Sequence, residues 1–353
     1  MTEKMLNISK ISGVALSLLT LKRRCDTLIS PKEAPRRTRR APTKLSAYGD
    51  DARMKERKRI VLDTDIGIDC DDAVALGAVL GRAREGKCEL LAVTCSTTRE
   101  GAPETAKAVC DYYGINVPIG RTELPPLACD FDNNYARAVA EKYGAKTPEI
   151  GAVGLIRKTL AEADEKIVLV AIGPLCNMAE LLRSGADEYS DKSGEALVTE
   201  KVSEIYVMGG AFRPKADGKP TAEWNILQDV GSARYFAANC PVPIVFSPHE
   251  LGARVFTYPE AMPEPVRYSM TSFAEAAGES VDGFKRESWD PVTCLAAIDG
   301  EKYGLKIGEN GVVSIDEEGV TSFVPDENGK HRILRLDGGA EELERAIALA
   351  AGK

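Results

Sequence analysis

The sequence predicts an α/β fold of Rossmann-like type, with a mostly parallel central sheet flanked by helices and small hairpin strands toward the C-terminus. Three observations predict it. From Ile60 onward, short apolar runs alternate with stretches of helical apolar spacing; residues 167–172 (IVLVAI) form an unbroken apolar run; and several of these runs lead into Gly or Pro. Taken in order, residues 60–62 read as the first strand and 72–84 as a helix, then 90–94 as a strand and 104–113 as a helix. Residues 167–172 read as a strand buried on both faces, because a half-exposed strand would alternate apolar with polar. Gly173-Pro174 and a helix over 177–183 follow it, and residues 202–207 and 242–246 repeat the scheme. After Gly300 the pattern changes to hairpin-like strands around Asn310-Gly311 and Glu318-Gly319, then a final helix over 340–351. Ligands of such sheets sit beyond the carboxyl ends of the strands, so those ends are where chemistry is expected.

The chain has 353 residues with 46 Lys+Arg against 54 Asp+Glu. At 44% hydrophobic and 28% charged it is neither fibrous nor disordered throughout. The charge is uneven: residues 1–59 hold 16 basic and 6 acidic side chains, whereas the rest hold 30 and 48. Residues 1–58 therefore read as a basic extension expected to lack a fold, with residues 59–353 as a single domain and Met54 as the expected start of the functional chain. An acidic body argues against nucleic acid as a partner. No apolar run approaches the roughly 18 residues that a membrane span needs, so no membrane partner is expected. Nine scattered cysteines without a C-x-x-C pair suit neither a disulfide scaffold nor a zinc site. Reduced, buried thiols and a cytoplasmic location are the expectation.

The first strand runs into Asp63-Thr64-Asp65-Ile66-Gly67-Ile68-Asp69-Cys70-Asp71-Asp72, five carboxylates in ten residues. Like charges at this density repel, and burying them costs several kcal/mol each unless a cation or proton intervenes, roughly 2–7 for uncharged polar groups alone. A helix N-terminus accounts for one or two of the acids, but not for Asp63 and Asp65 at the strand end. Oxygen-only donors suit a hard divalent cation, Ca²⁺ or Mg²⁺. An EF-hand does not fit, because the glycine falls one position early and no Glu closes the loop.

This run, DTDIGIDCDDAVAL, resembles the D-x-D-x-G-x-D-D-A hallmark of the inosine-uridine-type nucleoside hydrolase family, with two extra residues before the final Asp pair. Three further segments resemble that family in the right order. They are Gly173-Pro174-Leu175-Cys176-Asn177; Met208-Gly209-Gly210 with Ala222-Glu223-Trp224-Asn225; and Trp289-Asp290-Pro291. The resemblance implies the nucleoside hydrolase fold and Ca²⁺-dependent cleavage of the N-glycosidic bond of a ribonucleoside or related N-riboside. It implies Ca²⁺ held by Asp65, Asp72, the main-chain carbonyl of Cys176 and Asp290, and Asp65 as general base toward the attacking water. Asp71, Glu223 and Asn225 would bind sugar hydroxyls and Met208 the substrate. Asp63 would orient Asp65 or the loop, and Asp69 would compete with Asp71. A homodimer or homotetramer is implied as well.

Three departures fall on substrate recognition. Trp289 stands where purine-accepting members often carry the His that protonates the departing base; Arg99 lies near an expected Asn; and no Asn occurs between Gly210 and Ala222. Arg99 could bind an anionic group on the ligand or be a solvated charge. Of the two histidines, His249 lies at a strand's carboxyl end and could approach the site, although a hydrogen-bonded loop residue is the favoured reading, and His331 is given no role. Two other readings compete: a metal-dependent ribose or nucleoside binder without turnover, and a Mg²⁺-dependent phosphatase with Asp63 as nucleophile.

Overall fold

The computed structural model describes residues 57–124, 135–147, 150–214 and 218–352, all belonging to one compact unit, Gly49–Lys353. The expected disordered extension, residues 1–58, lies outside the described residues except for its last two. Lys58 already pairs with Cys88, so the first strand begins two residues before the apolar run that announces it.

The first half alternates β1 (Lys58–Thr64), α1 (Asp71–Arg84), β2 (Cys88–Cys95), α2 (Ala102–Tyr112) and β3 (Ile119–Arg121), then α3 (Tyr135–Tyr143) and α4 (Ala152–Glu162). The second half continues with β4 (Ile167–Ala171), α5 (Cys176–Arg183), α6 (Gly194–Lys201), β5 (Val202–Met208), α7 (Trp224–Gln228), α8 (Val230–Asn239) and β6 (Ile244–Ser247). After α9 (His249–Gly252), a small ribbon of β7 (Phe256–Thr257) and β8 (Arg286–Glu287) brackets α10 (Glu264–Ala276). The chain ends in α11 (Trp289–Asp299), β9 (Leu305–Ile307), β10 (Gly311–Ile315), β11 (Thr321–Pro325), β12 (His331–Leu336) and α12 (Glu341–Ala351).

The main sheet is ordered β11-β10-β12-β6-β5-β4-β1-β2-β3, with β9 paired to β12. From β3 across to β12 every neighbouring pair is parallel. Only β10, β11 and β9 run antiparallel. The C-terminal segment is thus partly different from the hairpins expected of it, since β12 extends the parallel sheet alongside β6. The tight turn at Glu318-Gly319 is present, held by the Asp316 carboxylate, which accepts from the backbone of Glu318 and Val320 at 3.0 and 2.8 Å. Asn310-Gly311 forms no hairpin; Gly311 opens β10 and pairs with both Pro325 and His331.

Period-2 alternation splits the core between the two faces of the sheet. Ile60 and Leu62 point to the layer of α1, α2, α10, α11 and α12, and Val61 to the layer of α4, α5, α6 and α8. The β4 run IVLVA is buried at every position, as its unbroken apolar sequence demands. Helix α1 is buried from Asp71 to Arg82, since α11 and α12 cover the side that the sheet leaves open. Strand order reverses at β1, which pairs with β2 on one side and β4 on the other. That switch point opens a crevice beyond the carboxyl ends of β1 and β4.

Candidate active site

A cavity of about 240 Å³ lies at this crevice. Asp65 enters it from the turn after β1, Asp71 and Asp72 from the start of α1, and Asp290 from the first turn of α11. Carboxylate oxygens of Asp71, Asp72 and Asp290 lie within 4.8 Å of one another although 217 or more residues separate the last from the others in sequence. Thr64 donates its hydroxyl to Asp72 Oδ1, and the Asp290 amide donates to Asp71 Oδ2 at 3.1 Å. All four carboxylates are buried. Gly173 permits the close approach of the turns after β1 and β4: a β-carbon there would stand 2.8 Å from Asp65 Oδ1 and 2.5 Å from Ser96 Oγ.

Burial first, and mutual repulsion second, pushes the carboxyls of Asp71, Asp72 and Asp290 well above the usual carboxylate range. Burial likewise pushes Asp65 up to about 7, with Asp69, Asp63 and Glu223 adding repulsion. The one guanidinium or ammonium group among the lining residues is that of Arg286, and Asp69 holds it. Its Nε lies 2.9 Å from Asp69 Oδ1 and 3.1 Å from Oδ2, and its Nη2 donates to Oδ2 as well. Asp69, the acid of the two-residue insertion, is therefore an arginine partner rather than a rival of Asp71. Asp71, Asp72 and Asp290 form an oxygen-only set of the kind that holds a metal ion.

The opposite contributors come from β4, β5 and α7. Glu223 caps α7, accepting from the amides of Asn225 at 2.9 Å, Ile226 at 3.2 Å and Gly210 at 3.3 Å. Burial outweighs these three donors and pushes its carboxyl up to about 7. Asn225 donates its Nδ2 to the Ile172 carbonyl at 3.0 Å and to Met208 O and Sδ at 3.3 and 3.2 Å. Ile172, Met208, Glu223, Trp224 and Asn225 all line the cavity.

The structure thus brings together Asp65, Asp71, Asp72, Met208, Glu223, Asn225 and Asp290. Cys176 is not among the residues that line the cavity. It opens α5 with its thiol toward the carbonyls of Ser96 and Pro174. Gly173-Pro174 separates Ile172, which lines the cavity, from the start of α5. Asp63 also stands behind the wall. Its carboxylate accepts from Thr94 Oγ1 at 2.6 Å and Asn177 Nδ2 at 2.8 Å, tying β1 to β2 and α5. Arg99 lies outside the wall.

His249 does reach the cavity, the less favoured of its two readings. Its ring stacks on Trp289 at 5.5 Å and 21°, and its carbonyl accepts from Trp289 Nε1 at 3.0 Å. His331 is buried elsewhere, its Nδ1 accepting from the Val313 amide at 2.8 Å. Sequence reasoning missed Arg286, Phe273, Ile68 and Ile172. Ile172 alone carried a signal, as the last residue of an apolar run at a strand's carboxyl end.

A family model described as "Inosine-uridine preferring nucleoside hydrolase" matches residues 60–337. Pyrimidine-specific ribonucleoside hydrolase RihB from Escherichia coli O157:H7 and from Escherichia fergusonii is 29% identical over 199 residues, 53% of this chain and 58% of theirs. The chain thus spans a little over half the length of these curated relatives. Among solved structures, an inosine-uridine preferring nucleoside hydrolase from Bacillus anthracis superposes with a TM-score of 0.61 at 18% identity, covering 84% of this chain and 99% of that one. An inosine-guanosine nucleoside hydrolase gives 0.63 at 18%, with the same coverage. The type III effector XopQ, complexed with adenosine diphosphate ribose, gives 0.58 at 18%, covering 86% and 97%. At these identities the likeness concerns the fold.

Proposed function

This chain belongs to the inosine-uridine preferring nucleoside hydrolase family, and from that premise we propose that it is a Ca²⁺-dependent hydrolase of the N-glycosidic bond of a ribonucleoside, releasing ribose and the free base. The observation that carries the reading is the meeting of Asp71, Asp72 and Asp290 oxygens within 4.8 Å in the wall of a cavity at the sheet's switch point.

Asp65, Asp72, Asp290 and the main-chain carbonyl of Cys176 would hold the ion. The bound ion would supply a fixed positive charge that acidifies a water and anchors sugar hydroxyls. Asp65 is the general base: it takes the proton of the attacking water as oxygen closes on the anomeric carbon. Asp71 and Glu223 accept from ribose hydroxyls. Asn225 has its Nδ2 engaged by three acceptors, so Oδ1 is the atom it offers the sugar. Met208 packs beside the sugar. Cleavage builds positive oxocarbenium character on the ribose, and the ring of carboxylates stabilises that charge where it develops. Trp289 and Phe273 give the same cavity flat apolar walls, suited to the face of a base.

The seven described cysteines are all free and buried, which supports a reducing, cytoplasmic setting. No helix among the described residues is long and apolar enough to cross a membrane. A homodimer or homotetramer is part of the proposal on the family resemblance. The phosphatase reading would need Asp63 as nucleophile, and Asp63 stands behind the cavity wall.

The test is turnover of a nitrophenyl riboside. Asp65→Asn and Asp290→Ala should each abolish it while circular dichroism shows the fold retained. Undiminished turnover in either variant refutes the assignment. Calorimetric ribose binding without turnover by the unmodified chain would favour a binder over an enzyme.

A further inference from the structure

An N-glycosidic bond breaks only as fast as its base can accept the departing electron pair, and no histidine precedes Asp290 to supply a proton. We propose that Arg286 does this work as a fixed guanidinium that stabilises negative charge on the leaving base, which makes it a catalytic residue of the hydrolase reached above. The inference rests on that reading.

Four observations point to it. Arg286 is in the cavity wall beside Trp289, Phe273 and Ile68. Its guanidinium carbon stands 5.1 Å from the Phe273 ring centre and 5.3 Å from that of Trp289, so it borders the aromatic portion of the wall. Asp69 fixes one edge of the fork through Nε and Nη2, whereas Nη1 makes only a longer ion pair with Glu287 Oε2, at 3.6 Å, and keeps its N–H groups to donate. The side chain is also largely enclosed, with 25% of its surface exposed, which strengthens its field inside the cavity. Asp69 comes from the two-residue insertion before the Asp71-Asp72 pair. The insertion therefore has a purpose: it carries the carboxylate that holds the arginine in place.

The step balances without a proton donor on the base. Water oxygen bonds to the anomeric carbon and gives its proton to Asp65. The C–N bond breaks with its electron pair passing to the base, which departs as an anion paired with Arg286. Solvent later protonates the base, and Asp65 releases its proton to solvent. A guanidinium donates and cannot accept. The substrate class it favours is therefore nucleosides whose base spreads the released pair onto a carbonyl oxygen, as uracil and hypoxanthine do.

Leaving-group dependence is the test, because nitrophenolate is a stable anion that needs no help. In Arg286→Gln, kcat on uridine and inosine should fall about 100-fold, the usual loss on removing one donor to developing charge. Turnover of the nitrophenyl riboside should stay within about 3-fold, and Arg286→Lys should recover part of the loss. Asp69→Asn should show the same selective pattern more weakly. An equal loss on both substrate types would overturn the proposal by making Arg286 a positioning residue, and so would no loss on either. A selective loss in His249→Asn with none in Arg286→Gln would assign the work to His249 instead. Should the unmodified enzyme cleave the nitrophenyl riboside but no nucleoside, the Arg286 proposal falls and the hydrolase reading stands. Should it cleave neither, both fall.

Discussion

Glu223 does two things with one carboxylate. It caps the N-terminus of α7 by accepting from Asn225 and Ile226, also accepts from the Gly210 amide, and presents charge to the sugar side of the cavity. Substitutions separate the two. Glu223→Gln keeps only one of the two acceptor oxygens that the backbone N–H groups use, so it should melt somewhat below the parent but above the alanine variant, while turnover falls. Glu223→Ala leaves buried donors unpaired and should lose about 1–3 kcal/mol as well. Thermal melts and turnover of the same two preparations check this; equal melting of both variants would show that the cap is not made by Glu223. At this scale the acids were legible in the sequence, because five carboxylates in ten residues have no inexpensive structural explanation. Arg286 was not, since its partner lies 217 residues away and a two-residue strand has no periodicity.

Between elements, the seating of α11 decides where Asp290 stands. Gly252 at the end of α9 makes that seating possible, because a β-carbon there would lie 2.3 Å from Trp289 Cδ1 and 2.5 Å from Trp289 Cα. Gly252→Ala must push the first turn of α11, and with it Asp290, away from Asp71 and Asp72. Stability should fall by about 1–3 kcal/mol, and the Ca²⁺ concentration for half-maximal turnover should rise at least roughly 10-fold. An unchanged Ca²⁺ requirement would mean that the indole alone gives way. Elements were legible where burial imposes a pattern, as in the unbroken β4 run or the helix after the acids. The two-residue strands β7 and β8 and the short helix α9 carry no such pattern, since tertiary packing rather than local sequence makes them. Asn310-Gly311 misled because a turn dipeptide can also open a strand where a neighbouring side chain, here Phe323, leaves no room for a β-carbon.

Across the whole molecule, the parallel order brings the carboxyl end of β1 beside that of β4, and α11 returns over 200 residues later to close the ring. The price is a set of buried acids whose pKa values lie above those of the unfolded chain, at about 7 for Asp65 and Glu223 and higher than usual for Asp71, Asp72 and Asp290. Raised carboxyl pKa values mean that the folded, ion-free chain binds more protons than the unfolded one. Its stability therefore falls as pH rises from about 4 through about 7. A cation must displace those protons, so its binding tightens over the same window and releases protons. The measurement that bears most directly on this is calorimetric titration of the full chain with Ca²⁺ at about pH 5.5 and about pH 7.5, in buffers of different ionisation enthalpy. The expected result is one ion per chain, tighter at the higher pH, with protons released, and lost in Asp72→Asn. Absence of uptake at either pH, or uptake undiminished in Asp72→Asn, would contradict the account.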